Sequence, residues 1–216
     1  MTAEHDLRRI AAFDVDGTLT RRDCVFPFVR RVAGTARLAV RLAQHPLELG
    51  GAAIQRDRDA FKTAGARAAF RGESAQRVRE LADPFARDVY DRFLRDDVVA
   101  SLREHQAAGH EVVLVSASFE VYLHPLAELL GIEHVLATRL VVGDDGRLTG
   151  ALDGPNCRGP EKVRRLHGWL DASGGGRAGA HVSAYGDSSG DRELLLDADV
   201  PTWVGTGSVP SWITDR

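Results

Sequence analysis

The stretch that most restricts this chain is a short apolar run, Ile10-Ala11-Ala12-Phe13, ending in two aspartates one residue apart, Asp14-Val15-Asp16-Gly17-Thr18. The run has the length and apolarity of a strand buried on both faces. Two carboxylates at the end of such a strand repel each other and lose hydration, unless a cation, a shared proton or a set of donors compensates. Gly17 allows a sharp turn there, and Thr18 adds a hydroxyl. On an open α/β sheet, ligands bind at the carboxyl ends of strands. The economical reading is an aspartate nucleophile beside an aspartate acid/base, with a bound divalent cation. A plain Asp-Gly turn competes with it, and partners later in the chain decide between the two.

From about residue 25 to residue 95 apolar residues recur at helical spacing, with no credible strand. Phe26, Phe28, Val29 and Val32, then Leu38, Val40 and Leu42, form the first stripe. His45-Pro46 and Gly50-Gly51 interrupt it, and helix resumes over 52–70. Ser74 is placed to N-cap a helix over 76–81, which Pro84 interrupts or restarts. Roughly seventy helical residues exceed an ordinary crossover and predict an inserted all-helical cap. The expected division is a core of residues 1–20 and 92–216, with a cap over 21–91.

Beyond the insert, strands and helices alternate. A helix over 95–108 leads to a strand over 110–115 that runs into Ser116-Ala117-Ser118, then a helix over 120–130. Residues 135–142 and 148–152 read as a strand pair turning at Gly143-Asp144-Asp145-Gly146. Gly159-Pro160 opens a helix over 161–170. A strand over 181–185 reaches Gly186-Asp187-Ser188-Ser189-Gly190-Asp191, followed by a short helix and a last strand over 200–204. This alternation predicts an α/β fold with a mainly parallel sheet.

A net charge of −3 gives no electrostatic case for nucleic acid. The two cysteines, Cys24 and Cys157, have neither metal-type spacing nor a disulfide framework, and predict inert thiols in a reducing cytoplasm. The polar stretch over residues 1–9 lacks the apolar region of a signal peptide, and no window has the uncharged apolar length of a membrane span. His5, His105, His110 and His167 sit in helix or terminal contexts and read as structural.

Three strand ends carry polar groups, Asp14/Asp16, Ser116/Ser118 and Asp187/Asp191, and Lys162 sits at a helix opening. Phosphoryl transfer needs such a set: an in-line nucleophile, positive groups facing the equatorial oxygens, carboxylates for Mg²⁺ and a proton for the leaving oxygen. In order, Asp14-Val15-Asp16-Gly17-Thr18, Leu114-Val115-Ser116-Ala117-Ser118, the Lys162 segment and Gly186-Asp187-Ser188-Ser189-Gly190-Asp191 resemble the four motifs of haloacid dehalogenase-superfamily phosphatases. The resemblance is to the phosphoserine-phosphatase-like subfamily IB, with a C1-type helical cap between the first two motifs. It implies a Rossmann-like core and an aspartyl-phosphate mechanism on a small-molecule phosphomonoester. Asp14 would attack phosphorus, and Asp16 would protonate the leaving alcohol and then activate water. Ser116 would hold a phosphate oxygen and Lys162 would neutralise charge, although Arg158 is an alternative cation. Mg²⁺ would be held by Asp14, the Asp16 carbonyl oxygen and Asp187, with Asp191 orienting the site. Thr18, Asp23, Ala117, Ser118 and Arg158 are the expected substrate contacts.

Asp23 stands where phosphoserine phosphatases carry a glutamate that meets the substrate amine, and Gly190 replaces their motif-four asparagine. Within 55–62, and at Arg67, lie further candidates for substrate recognition. Histidinol-phosphate phosphatases and a phosphatidylglycerophosphate phosphatase share the cap type. Arg30, Arg31, Arg37 and Arg41 would offer a lipid a basic face, though solvated arginines are the plainer reading. A phosphotransferase or mutase stays open. A phospho-acceptor signalling domain is disfavoured by Asp16 and by the long insert. A monomer or homodimer is expected.

Overall fold

The computed structural model describes residues 7–43 and 58–214. The strands are β1 (Arg8–Phe13), β2 (Glu111–Phe119), β3 (His134–Thr138), β4 (Leu140–Val142), β5 (Leu148–Leu152), β6 (Ala180–Gly186) and β7 (Val200–Trp203). Five of them form one parallel sheet in the order β3-β2-β1-β6-β7, and β4 and β5 form a separate antiparallel pair. β1 is central, as its apolarity requires: Ile10, Ala11, Ala12 and Phe13 are all buried. Their alternation feeds two cores. Ala11 and Phe13 face one apolar cluster, whereas Ile10 and Ala12 face the other, across the sheet. In register, Phe13 lies opposite Leu114 of β2 and Tyr185 of β6. The residues just beyond these three therefore emerge side by side at one edge.

The described helices are α1 (Val25–Ala33), α2 (Thr35–Ala43), α3 (Arg58–Phe70), α4 (Ala75–Arg92), α5 (Asp96–Ala107), α6 (Glu120–Leu129), α7 (Pro160–Ser173), α8 (Arg192–Asp197) and α9 (Ser211–Thr214). α1–α4 lie between β1 and β2 in the chain, where the helical insert is expected, and among the described residues their buried side chains form no core of their own. Phe28 of α1 packs 4.8 Å from Tyr122 of α6 and 5.1 Å from Phe85 of α4, centroid to centroid. Phe70 of α3 meets Phe119 of β2 edge-on at 5.0 Å. The insert is thus continuous with the sheet's first apolar cluster.

Three expectations need correction. Pro84 does not break the helix that Ser74 caps: α4 runs unbroken from Ala75 to Arg92, and Ser74 Oγ accepts the Arg77 N–H at 3.4 Å. Proline removes one helical hydrogen bond, but buried Ala82, Phe85, Ala86 and Val89 on either side hold the turn in place. Residues 135–142 are not one strand. Thr138 ends β3 in the main sheet, and β4 leaves it to pair with β5. In the first apolar stripe Phe28, Val29, Val32 and Leu38 are buried, but Phe26 and Val40 are 59% and 58% exposed. The breaks expected at 45–46 and 50–51, and the candidates at 55–57, lie outside the described residues. Among the described residues no helix is long and apolar enough to cross a membrane.

Candidate active site

Asp14 follows β1 directly and continues its ladder, its N–H donating to the Tyr185 carbonyl at 3.1 Å. Lys162, in the first turn of α7, comes from the other side of the sheet and is fully buried. Its Nζ donates to Asp14 Oδ1 at 2.5 Å, to the Val115 carbonyl at 2.7 Å and to Asp191 Oδ1 at 2.6 Å. One ammonium therefore stands between two buried carboxylates. Asp187 joins them: Asp14, Asp187 and Asp191 each offer an oxygen within 4.8 Å of the others.

Local backbone explains this convergence. Gly17 sits at φ +87°, and a Cβ there would come within 2.7 Å of Asp187 Cγ, so only glycine lets the β1 loop lie against that carboxylate. Thr18 Oγ1 donates to Asp187 Oδ1 at 3.1 Å and fixes its rotamer. Asp191 uses its second oxygen within its own loop, accepting from Ser188 N at 3.0 Å and Ser188 Oγ at 2.8 Å.

The electrostatics leave a deficit of positive charge. Burial, with repulsion from Asp191, lifts Asp14 to about 7 against the attraction of Lys162. Burial and the Asp191 charge also raise Asp187. Asp191 stays below the usual carboxylate range, because Lys162 and Ser188 outweigh its burial. Burial opposes the charge on Lys162, but Asp14 and Asp191 overcome it and hold the ammonium well above its ordinary value. Three carboxylates against one ammonium, all oxygen donors, fit a hard divalent cation such as Mg²⁺.

Asp16 is held differently. Its Oδ1 accepts the Cys24 N–H at 2.9 Å, and its Oδ2 accepts a short hydrogen bond from Ser118 Oγ. A register shift between Ser116 and Phe119 ends the regular β2 ladder, so Ser116 and Ala117 both reach the cleft while Ser118 turns to Asp16. Ser116 Oγ accepts the Ser118 N–H at 3.1 Å.

A cleft of about 450 Å³ opens over these groups. Of the expected residues, Asp14, Asp16, Asp23, Ser116, Ala117, Arg158, Lys162, Asp187 and Asp191 line it. Thr18 and Ser118 do not: expected at the substrate, they are fully buried with their hydroxyls turned to Asp187 and Asp16. Asp23 reaches the cleft but also caps α1, accepting from Val25 N at 3.3 Å and Phe26 N at 3.1 Å. Between the two candidate cations, it is Lys162 that touches Asp14. Arg158 lies at the side, its Nη2 donating to Ser189 Oγ at 3.3 Å. Gly190 makes room for it, since a Cβ there would sit 3.0 Å from Arg158 Nε. Asn156, Ser188, Val25, Phe26, Val29, Gly65 and Ala66 also line the cleft and were not anticipated. Phe26 and Val25 carried a signal, as apolar residues next to the Asp23 cap. Asn156 carried none; its Oδ1 is 2.8 Å from Thr138 Oγ1, a contact between distant parts of the chain.

Comparison with known proteins decides the family. A family model described as haloacid dehalogenase-like hydrolase matches residues 11–196. This chain belongs to that family. Among curated proteins, protein CicA of Caulobacter vibrioides is 37% identical over 190 residues, covering 88% of this chain and 83% of that one. A phosphoserine phosphatase of Halobacterium salinarum is 32% identical over 194 residues, covering 86% and 81%. A histidinol-phosphatase of Neisseria meningitidis is 34% identical over 104 residues, covering 48% and 47%. Among solved structures, a Bordetella pertussis protein described as of unknown function superposes with a TM-score of 0.71 at 28% identity, covering 88% and 86%. A substrate-bound phosphoserine phosphatase superposes at 0.59 and 19% identity, covering 88% and 83%, a likeness of fold. The protein is thus a hydrolase of the haloacid dehalogenase-like family.

Proposed function

We propose that this hydrolase is a Mg²⁺-dependent phosphomonoesterase that works through a phosphorylated Asp14 on a small-molecule ester. The observation that carries the reading is Lys162 Nζ held between Asp14 and Asp191, with Asp187 alongside, at the floor of an open cleft. Asp14, Asp187 and the Asp16 carbonyl would hold the cation, with Asp191 orienting the set; when bound it would neutralise charge on the phosphoryl oxygens. Lys162 fixes the Asp14 carboxylate through Oδ1, and that carboxylate is assigned the attack on phosphorus. The ester P–O bond breaks, and the leaving oxygen takes a proton from Asp16, which Ser118 and the Cys24 N–H keep aimed. Asp16 then removes a proton from water, which attacks phosphorus, releases inorganic phosphate and restores Asp14. Ser116, buried at the cleft, binds a phosphoryl oxygen. The region 21–91 acts as the cap that shapes the cleft, and Asp23, Ala117 and Arg158 border the substrate.

Phosphate release from p-nitrophenyl phosphate tests this reading. Turnover should need Mg²⁺, stop with EDTA, and fall on the order of 10⁴-fold or more in Asp14→Asn. Full turnover by that variant would remove Asp14 from the nucleophile's role.

A further inference from the structure

The wall of the cleft opposite the carboxylates is apolar. Val25, Phe26 and Val29 come from α1, and Gly65 and Ala66 from α3. Phe26 is the informative residue, because it is 59% exposed although its stripe neighbours are buried. An aromatic ring left open at the mouth of a polar site gains contact area only when something apolar lies against it. Gly65 leaves the facing side roomy: a Cβ added there would meet nothing within 4 Å.

The polar groups nearby are already engaged. Lys162 has three acceptors, and both Asp23 oxygens cap α1. Among the described lining residues Arg158 is the other cation, and it lies on the Ser188–Gly190 side rather than on this wall. Among the described wall residues a charged leaving group would find no partner and would lose hydration.

We infer that, given the phosphatase reading above, the preferred substrates are phosphomonoesters whose leaving alcohol carries an uncharged apolar body, received between Phe26 and the Gly65–Ala66 face. The phosphoryl group stays at Asp14, and the chain or ring of the alcohol covers Phe26.

The test uses ethyl, butyl and hexyl phosphate, primary esters with closely similar leaving groups, beside O-phosphoserine and glycerol 3-phosphate. The second-order rate constant for phosphate release should rise about two- to fourfold per methylene, the range that partial to full burial of a CH₂ gives. Hexyl phosphate should exceed both charged or hydroxylated esters by at least about tenfold. Phe26→Ala, at an exposed position, should roughly halve the logarithmic slope. Gly65→Leu should favour the helix and fill the open space, so that hexyl phosphate falls below butyl phosphate. A flat series, a preference for O-phosphoserine, or an unchanged slope in both variants would overturn the inference. With p-nitrophenyl phosphate still turned over, those results refute the apolar subsite alone. Loss of all turnover in the wild type refutes the phosphatase reading and this inference with it.

Discussion

The two sides of the cleft are built on opposite principles. On the sheet side, the charges are held against partners: Lys162 is buried between Asp14 and Asp191, half-buried Asp187 meets Thr18, and half-buried Asp16 lies between Ser118 and the Cys24 amide. On the helical side the surface is apolar, partly exposed and spacious, with Phe26 at the mouth and no side chain at Gly65. A buried charge network fails abruptly, because removing one member leaves another without compensation. An apolar wall fails gradually, in proportion to the area lost.

Lys162→Met should give the largest departure in folding stability. It strands two buried carboxylates and should cost about 3–5 kcal/mol in urea denaturation. Adding Asp14→Asn to that variant should recover part of the loss, because one of the stranded charges is gone. If the double variant is no more stable than the single one, the sheet side is not the coupled network described here.

A smaller effect is expected from Ser118→Ala, which frees Asp16 on one side. Hydrolysis of butyl phosphate should slow about tenfold or more, while p-nitrophenyl phosphate, whose leaving group needs little protonation, should change far less. Equal slowing of both would place Ser118 outside the proton-transfer geometry.

The smallest effect separates neighbours on α7. Glu161, next to Lys162, faces a surface network: it accepts from Arg164 at 2.6 Å and from Arg165 at 2.7 Å. The hydrogen bonds from Arg164, reinforced by Arg165, bring its carboxyl from 4.5 down to about 2. A carboxyl lowered on folding contributes stability above its unfolded value and loses it as pH falls toward the folded one. Glu161→Gln should therefore flatten the loss of stability between pH 4.5 and about 2, by no more than ~1 kcal/mol because Arg164 is solvated. Turnover near neutral pH should be untouched, in contrast to Lys162→Met. A large neutral-pH effect would blur the distinction between network and surface.

Much of the sheet side was legible in the sequence. A buried run ending in Asp-x-Asp-Gly-Thr, hydroxyls after a second apolar strand and acids flanking Gly-containing loops are local patterns, and parallel topology places such ends together. Which oxygen meets which donor was not legible. Thr18 and Ser118 look like substrate contacts because their hydroxyls follow the right strands, but the Gly17 turn and the irregular end of β2 rotate them behind the carboxylates. Pro84 misled for a related reason: local preference favours a break, and packing on both sides of the residue overrides it. The apolar wall was hidden because Phe26 and Val29 read as one core stripe, whereas both line the cleft, Val29 buried and Phe26 left exposed.

By itself the sequence determined most of the succession of strands and helices, the burial of β1, and the supply of acids, hydroxyls and a lysine at strand and helix ends. Those follow from periodicity and from the cost of burying charge, which act over a few residues. Tertiary structure alone decided that Lys162 rather than Arg158 reaches Asp14 and that Phe26 stays open to the cleft. The reason is distance along the chain: Asp14 and Lys162 lie 148 residues apart, and no local pattern records how the two layers that carry them meet across the sheet.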